Sequence, residues 1–198
     1  MELSITFMSN VIGALAIIAY IAAPFLSDAK KALYIRILAE GLFSLMFFYI
    51  GCLAGTVYYV ILMVSAIFEK QIEKNKIFSI VYGMMGCGLV ILLNNNGIQG
   101  IILALSLILI FTPINEQKML TTTSFIDVIT SIILLYYSIS VKSISGIVFA
   151  VLLIIGAFSG LYSAVRLVKG GGLQAAAAEE ELYQRNKTKR TNQKKIKG

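Results

Sequence analysis

The chain has 198 residues, of which 58% are apolar and only 14% charged, and it carries a net charge of +7 with no histidine and no tryptophan. A soluble core of this length has too little interior for so much apolar surface, so the composition reads as an integral membrane protein. The missing histidine removes His-based triads and His metal sites. The two cysteines, Cys52 and Cys87, lack metal-ligand spacing and read as small apolar packing residues.

Seven apolar segments follow in chain order, at about 4–26, 32–50, 53–69, 77–93, 97–112, 119–139 and 144–168. The first starts Met1-Glu2-Leu3 without a basic leader and is too long for a secretory signal, so it is expected to be a retained helix. Several of the others have only 16 to 18 residues and would cross a bilayer with little tilt or thin it locally. Asn94-Asn95-Asn96-Gly97 is a turn signal that separates the fourth segment from the fifth.

Charge in the connections sets the expected orientation. Lys30, Lys31 and Arg36 follow the first segment, Lys70, Lys74 and Lys76 the third, Lys118 the fifth, and Arg166, Lys169 and a basic tail the seventh. The alternate connections carry only Lys142. The positive-inside rule then predicts an outside N-terminus and a cytoplasmic C-terminus. Beyond Gly170-Gly171-Gly172, residues 170–198 read as a cytoplasmic tail, a short alanine- and glutamate-rich helix followed by a basic disordered end. That end either touches anionic lipid or is a solvated tail that enforces topology.

The apolar part also repeats. Residues 55–66 read GTVYYVILMVSA and residues 146–157 read GIVFAVLLIIGA, with Gly, Val, Val, Leu and Ala in register 91 positions apart. Pro24 and Pro113, the two prolines, end matching segments. The predicted fold is therefore all-α, with seven transmembrane helices as 3+1+3. A first repeat covers about 4–69, a linker helix about 77–93 and a second repeat about 97–168, the halves being related by an axis along the membrane normal.

Three groups of residues resemble one family. They are Ala19-Tyr20 before a short Lys-Lys loop, Phe47-Phe48-Tyr49-Ile50-Gly51 with Gly55 at a tight turn, and Ser145-Gly146 leading to Gly160-Leu161-Tyr162-Ser163-Ala164-Val165-Arg166. Over about residues 5–168 the chain resembles the bacterial inner-membrane YgjV family. Its 3+1+3 plan is similar to SWEET and PQ-loop transporters. The first resemblance implies a multi-pass protein of the bacterial cytoplasmic membrane. The second implies passage of a small polar solute between two three-helix bundles. The chain departs from the SWEET pattern where a polar residue would hold substrate, since the counterparts Ile61 and Leu152 are apolar. Pro24 and Pro113 precede Phe25 and Ile114 rather than glutamine.

Glu40 is the residue that most suggests chemistry. It is expected about eight residues, roughly 12 Å, inside the second helix, where an ionised carboxylate is costly unless paired or hydrated. Arg36 lies one turn earlier within pairing reach, and Asp127 is expected at similar depth in the sixth segment. These three form a candidate gate or proton site; the alternative is an Arg36–Glu40 pair that satisfies only itself. Candidate pathway-lining residues are Asn10, Tyr58, Tyr59 and Tyr137, with helix glue the competing reading for Asn10 and an interfacial belt for the tyrosines. Gly83, Gly156 and Gly160 are candidate helix-packing positions, with a homodimer contact through the central helix as the alternative. No Walker loop, dinucleotide fingerprint or nucleophile–base pair is visible, so no enzymatic activity, cofactor, metal or nucleic-acid partner is expected. The functional expectation is a transporter of an unknown small polar solute, passive or proton-linked. The alternative is a non-transporting membrane scaffold or accessory subunit.

Overall fold

A computed structural model describes residues 2–113 and 119–169. The expectations for Lys118 and for the tail at 170–198 lie outside the described residues. Among these residues the chain is helical without strands: α1 (Glu2–Ala22), a 3-10 turn (Ala23–Phe25), α2 (Ala29–Tyr49), α3 (Leu53–Ile67), α4 (Glu69–Lys74), α5 (Lys76–Leu92), α6 (Gly97–Ile110), α7 (Met119–Ser140) and α8 (Ile144–Lys169).

Four helical stretches, Ser4–Phe25, Ala29–Tyr49, Thr122–Ser140 and Ile144–Val165, are long and apolar enough to cross a membrane. Helices α3, α5 and α6 are apolar but shorter, at 15, 17 and 14 residues. Large apolar side chains face outward, among them Phe7, Ile18, Leu92, Ile98 and Ile155. A water-soluble domain would bury such a surface.

Local chemistry sets the boundaries. Pro24 lacks an N–H and sits in the 3-10 turn that ends α1. Asp28 caps α2 by accepting from the Lys30 N–H, and Asn75 caps α5 by accepting from the N–H groups of Ile77 and Phe78. The charged stretch after α3, expected as a connection, instead forms α4. Its residues Glu-Lys-Gln-Ile-Glu-Lys are good helix formers, and the Ile72 N–H reaches the Phe68 carbonyl, so the chain re-enters helix almost without a break.

The helices form a closed ring in the order α1, α2, α3, α6, α7, α8, with α8 returning to α1. Helix α5 lies outside the ring against α6 and α3. Ser79 Oγ ties it to the Phe111 carbonyl at 2.7 Å, and Tyr82 OH ties it to the Ile61 carbonyl at 2.7 Å. Each triplet of ring helices is a row of sequence neighbours, not a closed bundle, since among the described residues α1 does not meet α3 and α6 does not meet α8. The α3–α6 and α8–α1 seams close the ring between its two rows.

Aromatic rings fill the interior of the ring. Tyr20 meets Phe149 edge-on at 4.9 Å, Phe149 meets Phe43 at 4.1 Å, Phe43 stacks on Tyr59 at 5.0 Å, and Tyr59 on Phe47 at 5.5 Å. Phe47 then reaches Tyr137 at 5.6 Å. This chain of rings joins α1, α8, α2, α3 and α7, and such pairs add attraction beyond simple area burial.

Candidate functional site

Helix α2 begins at Ala29, three residues before the expected start, because Asp28 caps it there. Glu40 is consequently deeper than expected, near mid-helix and roughly 16 Å from the first residue. It is 5% exposed, and its Oε2 has no hydrogen-bond partner among the described residues. It shares the buried face of α2 with Phe43, Ser44 and Phe47.

Arg36 does not pair with Glu40. Its Nη1 donates to Glu69 Oε1 at 3.2 Å, and both side chains are 46% exposed. Two causes agree. An arginine preceding a glutamate by one turn is the less favourable order on a helix. Helix α4, absent from the sequence expectation, brings Glu69 to the exposed end of α2, where a charged pair needs no desolvation. Asp127 lies on the exposed side of α7, and its backbone carbonyl accepts from Ser131 Oγ at 2.6 Å and Thr130 Oγ1 at 3.2 Å. Glu40, Arg36 and Asp127 are thus not brought together by any hydrogen bond or ion pair among the described residues. Tyr20, packed edge-on against Phe149 at 4.9 Å, was not weighed as a site from the sequence. The available signal was its place one turn before Pro24, the only tyrosine of the first segment.

The residues considered for a pathway are tied into seams. Asn10 accepts from Ser145 Oγ at 3.3 Å, which closes α8 onto α1. Tyr58 OH and Ser106 Oγ are hydrogen-bonded at 3.3 Å across the α3–α6 seam. Tyr59 belongs to the ring stack. Adjacent tyrosines do part company in α7, where Tyr136 is exposed and Tyr137 buried, but Tyr58 and Tyr59 are both buried because α3 is covered by α2 on one side and by α5 and α6 on the other. Gly83 faces Leu107 of α6 and Phe111 just beyond its end, Gly160 sits at ordinary contact distance from Ser124, and Gly156 meets open space.

The opposite end of the bundle, away from Arg36, is knitted by polar side chains. Tyr137 OH accepts from the Gly55 N–H at 2.9 Å and donates to Asn96 Oδ1 at 2.9 Å. Asn95 accepts from the Leu53 N–H at 2.9 Å and donates to the Gly51 carbonyl at 2.6 Å. Asn96 Nδ2 donates to Cys52 Sγ at 3.6 Å. Beside this network Cys52, Asn96, Gln99, Ser140, Val141 and Lys142 line a cavity of about 300 Å³. The asparagines were legible in the sequence as a turn, but their bonds to a turn more than 40 residues away were not.

Two of the turns at this end share their backbone hydrogen bonding 91 residues apart. The Cys52 N–H reaches the Phe47 carbonyl and the Gly51 N–H the Phe48 carbonyl; the Ser143 N–H reaches Ser138 and the Lys142 N–H reaches Ile139. Both are helix ends of the Schellman type, with the residue after the cap in left-handed conformation. Its φ is 74° at Gly51 and 56° at Lys142.

Scans of family models, curated proteins and solved structures each returned no match to this chain. The class defined by the fold, among the described residues, is an all-helical protein with four helices long and apolar enough to cross a bilayer and three shorter apolar ones.

Proposed function

We propose that the protein is a transporter of a small polar solute, passive or proton-linked, in a bacterial cytoplasmic membrane. The single observation that carries this reading is Glu40, an acid buried near mid-helix with an unpartnered oxygen, on the same buried face of α2 as Phe43 and Phe47. Intramembrane acids of this kind mark ion or proton relays, because a merely structural position would select an apolar residue. The stacked rings from Tyr20 to Tyr137 then act as the closed section of the route, with Glu40 beside them as the group that takes up and releases a proton.

Seven crossings in a 3+1+3 plan, with the N-terminus outside, complete the proposal. The matched turns at Gly51 and Lys142, and the matched α3–α6 and α8–α1 seams, support descent of the two halves from one unit. The resemblance to the YgjV family and, more widely, to SWEET and PQ-loop carriers is consistent with this plan. A membrane scaffold is the second reading, and the continuous ring stack favours it, since a filled interior needs no solute route.

The test is uptake into proteoliposomes from a mixed pool of small metabolites, read by mass spectrometry under an imposed proton gradient. Wild type is expected to enrich one compound class, and Glu40→Gln to lower that flux at least tenfold while its thermal unfolding midpoint does not fall. Folded wild-type protein that enriches nothing above empty liposomes would establish the scaffold reading instead.

A further inference from the structure

We infer that the cavity between the three turns at the Tyr137 end is a binding site for a small oxyanion group, carboxylate or phosphate, with Lys142 as its charged anchor. Three independent observations meet at Lys142. It is the one basic residue of the three turns 50–53, 93–97 and 140–144, which contain no acidic residue. It holds a left-handed φ of 56°, where its counterpart 91 residues earlier is glycine. It also lines the cavity of about 300 Å³, together with Asn96, Gln99 and Ser140.

The backbone observation matters because a left-handed residue with a Cβ is disfavoured, and strain kept at a non-glycine position is a pointer to function. The fold already holds the cheaper solution at Gly51. Retaining a lysine at the equivalent place trades stability for a cation at the cavity wall.

The sign of the ligand follows from Lys142, the charged group of the lining. Asn96 Oδ1 is engaged by the Tyr137 hydroxyl proton, and Ser140 Oγ spends its own proton on the Tyr137 carbonyl at 2.7 Å. Amide donors stand beside the cation. Asn96 spends one amide proton on the thiol of Cys52, a weak acceptor, and keeps another. Gln99 adds an amide, and among the described residues Lys142 makes no ion pair. A cavity with a cation and amide donors, and no carboxylate from its three turns, recognises an oxyanion. That group can belong to a dissolved metabolite or to a lipid headgroup.

Binding is tested at equilibrium with the full chain in nanodiscs, so its outcome is separate from any flux result. In neutral phosphatidylcholine discs, radiolabelled succinate and inorganic phosphate are titrated against wild type and Lys142→Gly. Saturable binding of either probe by wild type, weakened at least tenfold in Lys142→Gly, is expected. The glycine variant relieves the left-handed strain, so its unfolding midpoint should rise, and its loss of binding is then not a loss of fold. Discs containing phosphatidylglycerol separate the sources. If that lipid competes with the probes, or alone raises the wild-type unfolding midpoint but not that of Lys142→Gly, the oxyanion is a headgroup. Binding equal in wild type and Lys142→Gly, or none of any probe or lipid, overturns the assignment.

Discussion

The α2–α3 and α7–α8 turns have one backbone geometry and two ways of satisfying it. In the second, Ser143 caps α8 locally, its Oγ accepting from the Gly146 N–H at 3.1 Å. In the first, Cys52 occupies the same place and makes no such bond, because a thiol is a poor acceptor. The orphaned first-turn N–H groups of α3 are met from elsewhere, Leu53 by Asn95 and Gly55 by Tyr137. Where one hairpin has a local capping bond, the other has long-range bonds that pin three turns together. The two hairpins are therefore alike in shape and unlike in what their integrity depends on.

The largest expected effect tests packing behind the turns. A Cβ at Gly55 would stand 2.7 Å from the Phe47 ring and 3.1 Å from Tyr137, whereas at Gly146 it would meet the serine hydroxyls of Ser138 and Ser143 at 2.8 and 2.9 Å. Buried rings wedged in a stack yield less than hydroxyls that can rotate. Gly55→Ala should destabilise by about 1–3 kcal/mol or more, and Gly146→Ala by the low end of that range. Unfolding of the two variants in detergent measures the gap, and equal losses would mean that the hairpins are packed alike.

Removing the remote cap comes next. Tyr137→Phe keeps the ring and deletes the hydroxyl, leaving the Gly55 N–H and Asn96 Oδ1 unpaired. The expected loss is about 1–3 kcal/mol. Tyr136→Phe, on the exposed side of the same helix, should change stability by less than about 0.5 kcal/mol. A Tyr137→Phe variant as stable as wild type would show that the first hairpin does not rely on the distant hydroxyl.

What the sequence could and could not reveal follows the range of the interactions. The seven apolar helices lie where hydropathy and the Asn94–Gly97 turn place them, since apolarity and turn chemistry are local. Helix α4 was hidden because its charges read equally well as a loop. The depth of Glu40 shifted because Asp28 begins α2 three residues earlier than the apolar boundary. Arg36 was assigned to its own-helix neighbour because i, i+4 spacing is visible in a sequence, whereas Glu69 comes within reach only through the bend at Phe68. The bonds from Asn95 and Tyr137 to the first turn span 44 and 82 positions, beyond anything periodicity encodes.

The smallest expected effect within the turns sharpens the comparison most. Cys52→Ser gives the first hairpin the residue type that the second already has at this position. The new hydroxyl lies where Ser143 Oγ lies relative to its own helix, so it can accept from the Gly55 N–H and supply the missing local cap. The expected gain is about 0.5–1 kcal/mol. The informative quantity is its coupling to Tyr137. If the remote hydroxyl stands in for a local cap, the two bonds compete for one N–H, and Tyr137→Phe should cost less in the Cys52→Ser background than in wild type, with a coupling of about 0.5 kcal/mol or more. The four unfolding curves of that double-mutant cycle measure it directly. Strict additivity would mean that Tyr137 acts through Asn96 alone, and that the resemblance between the turns ends at the backbone.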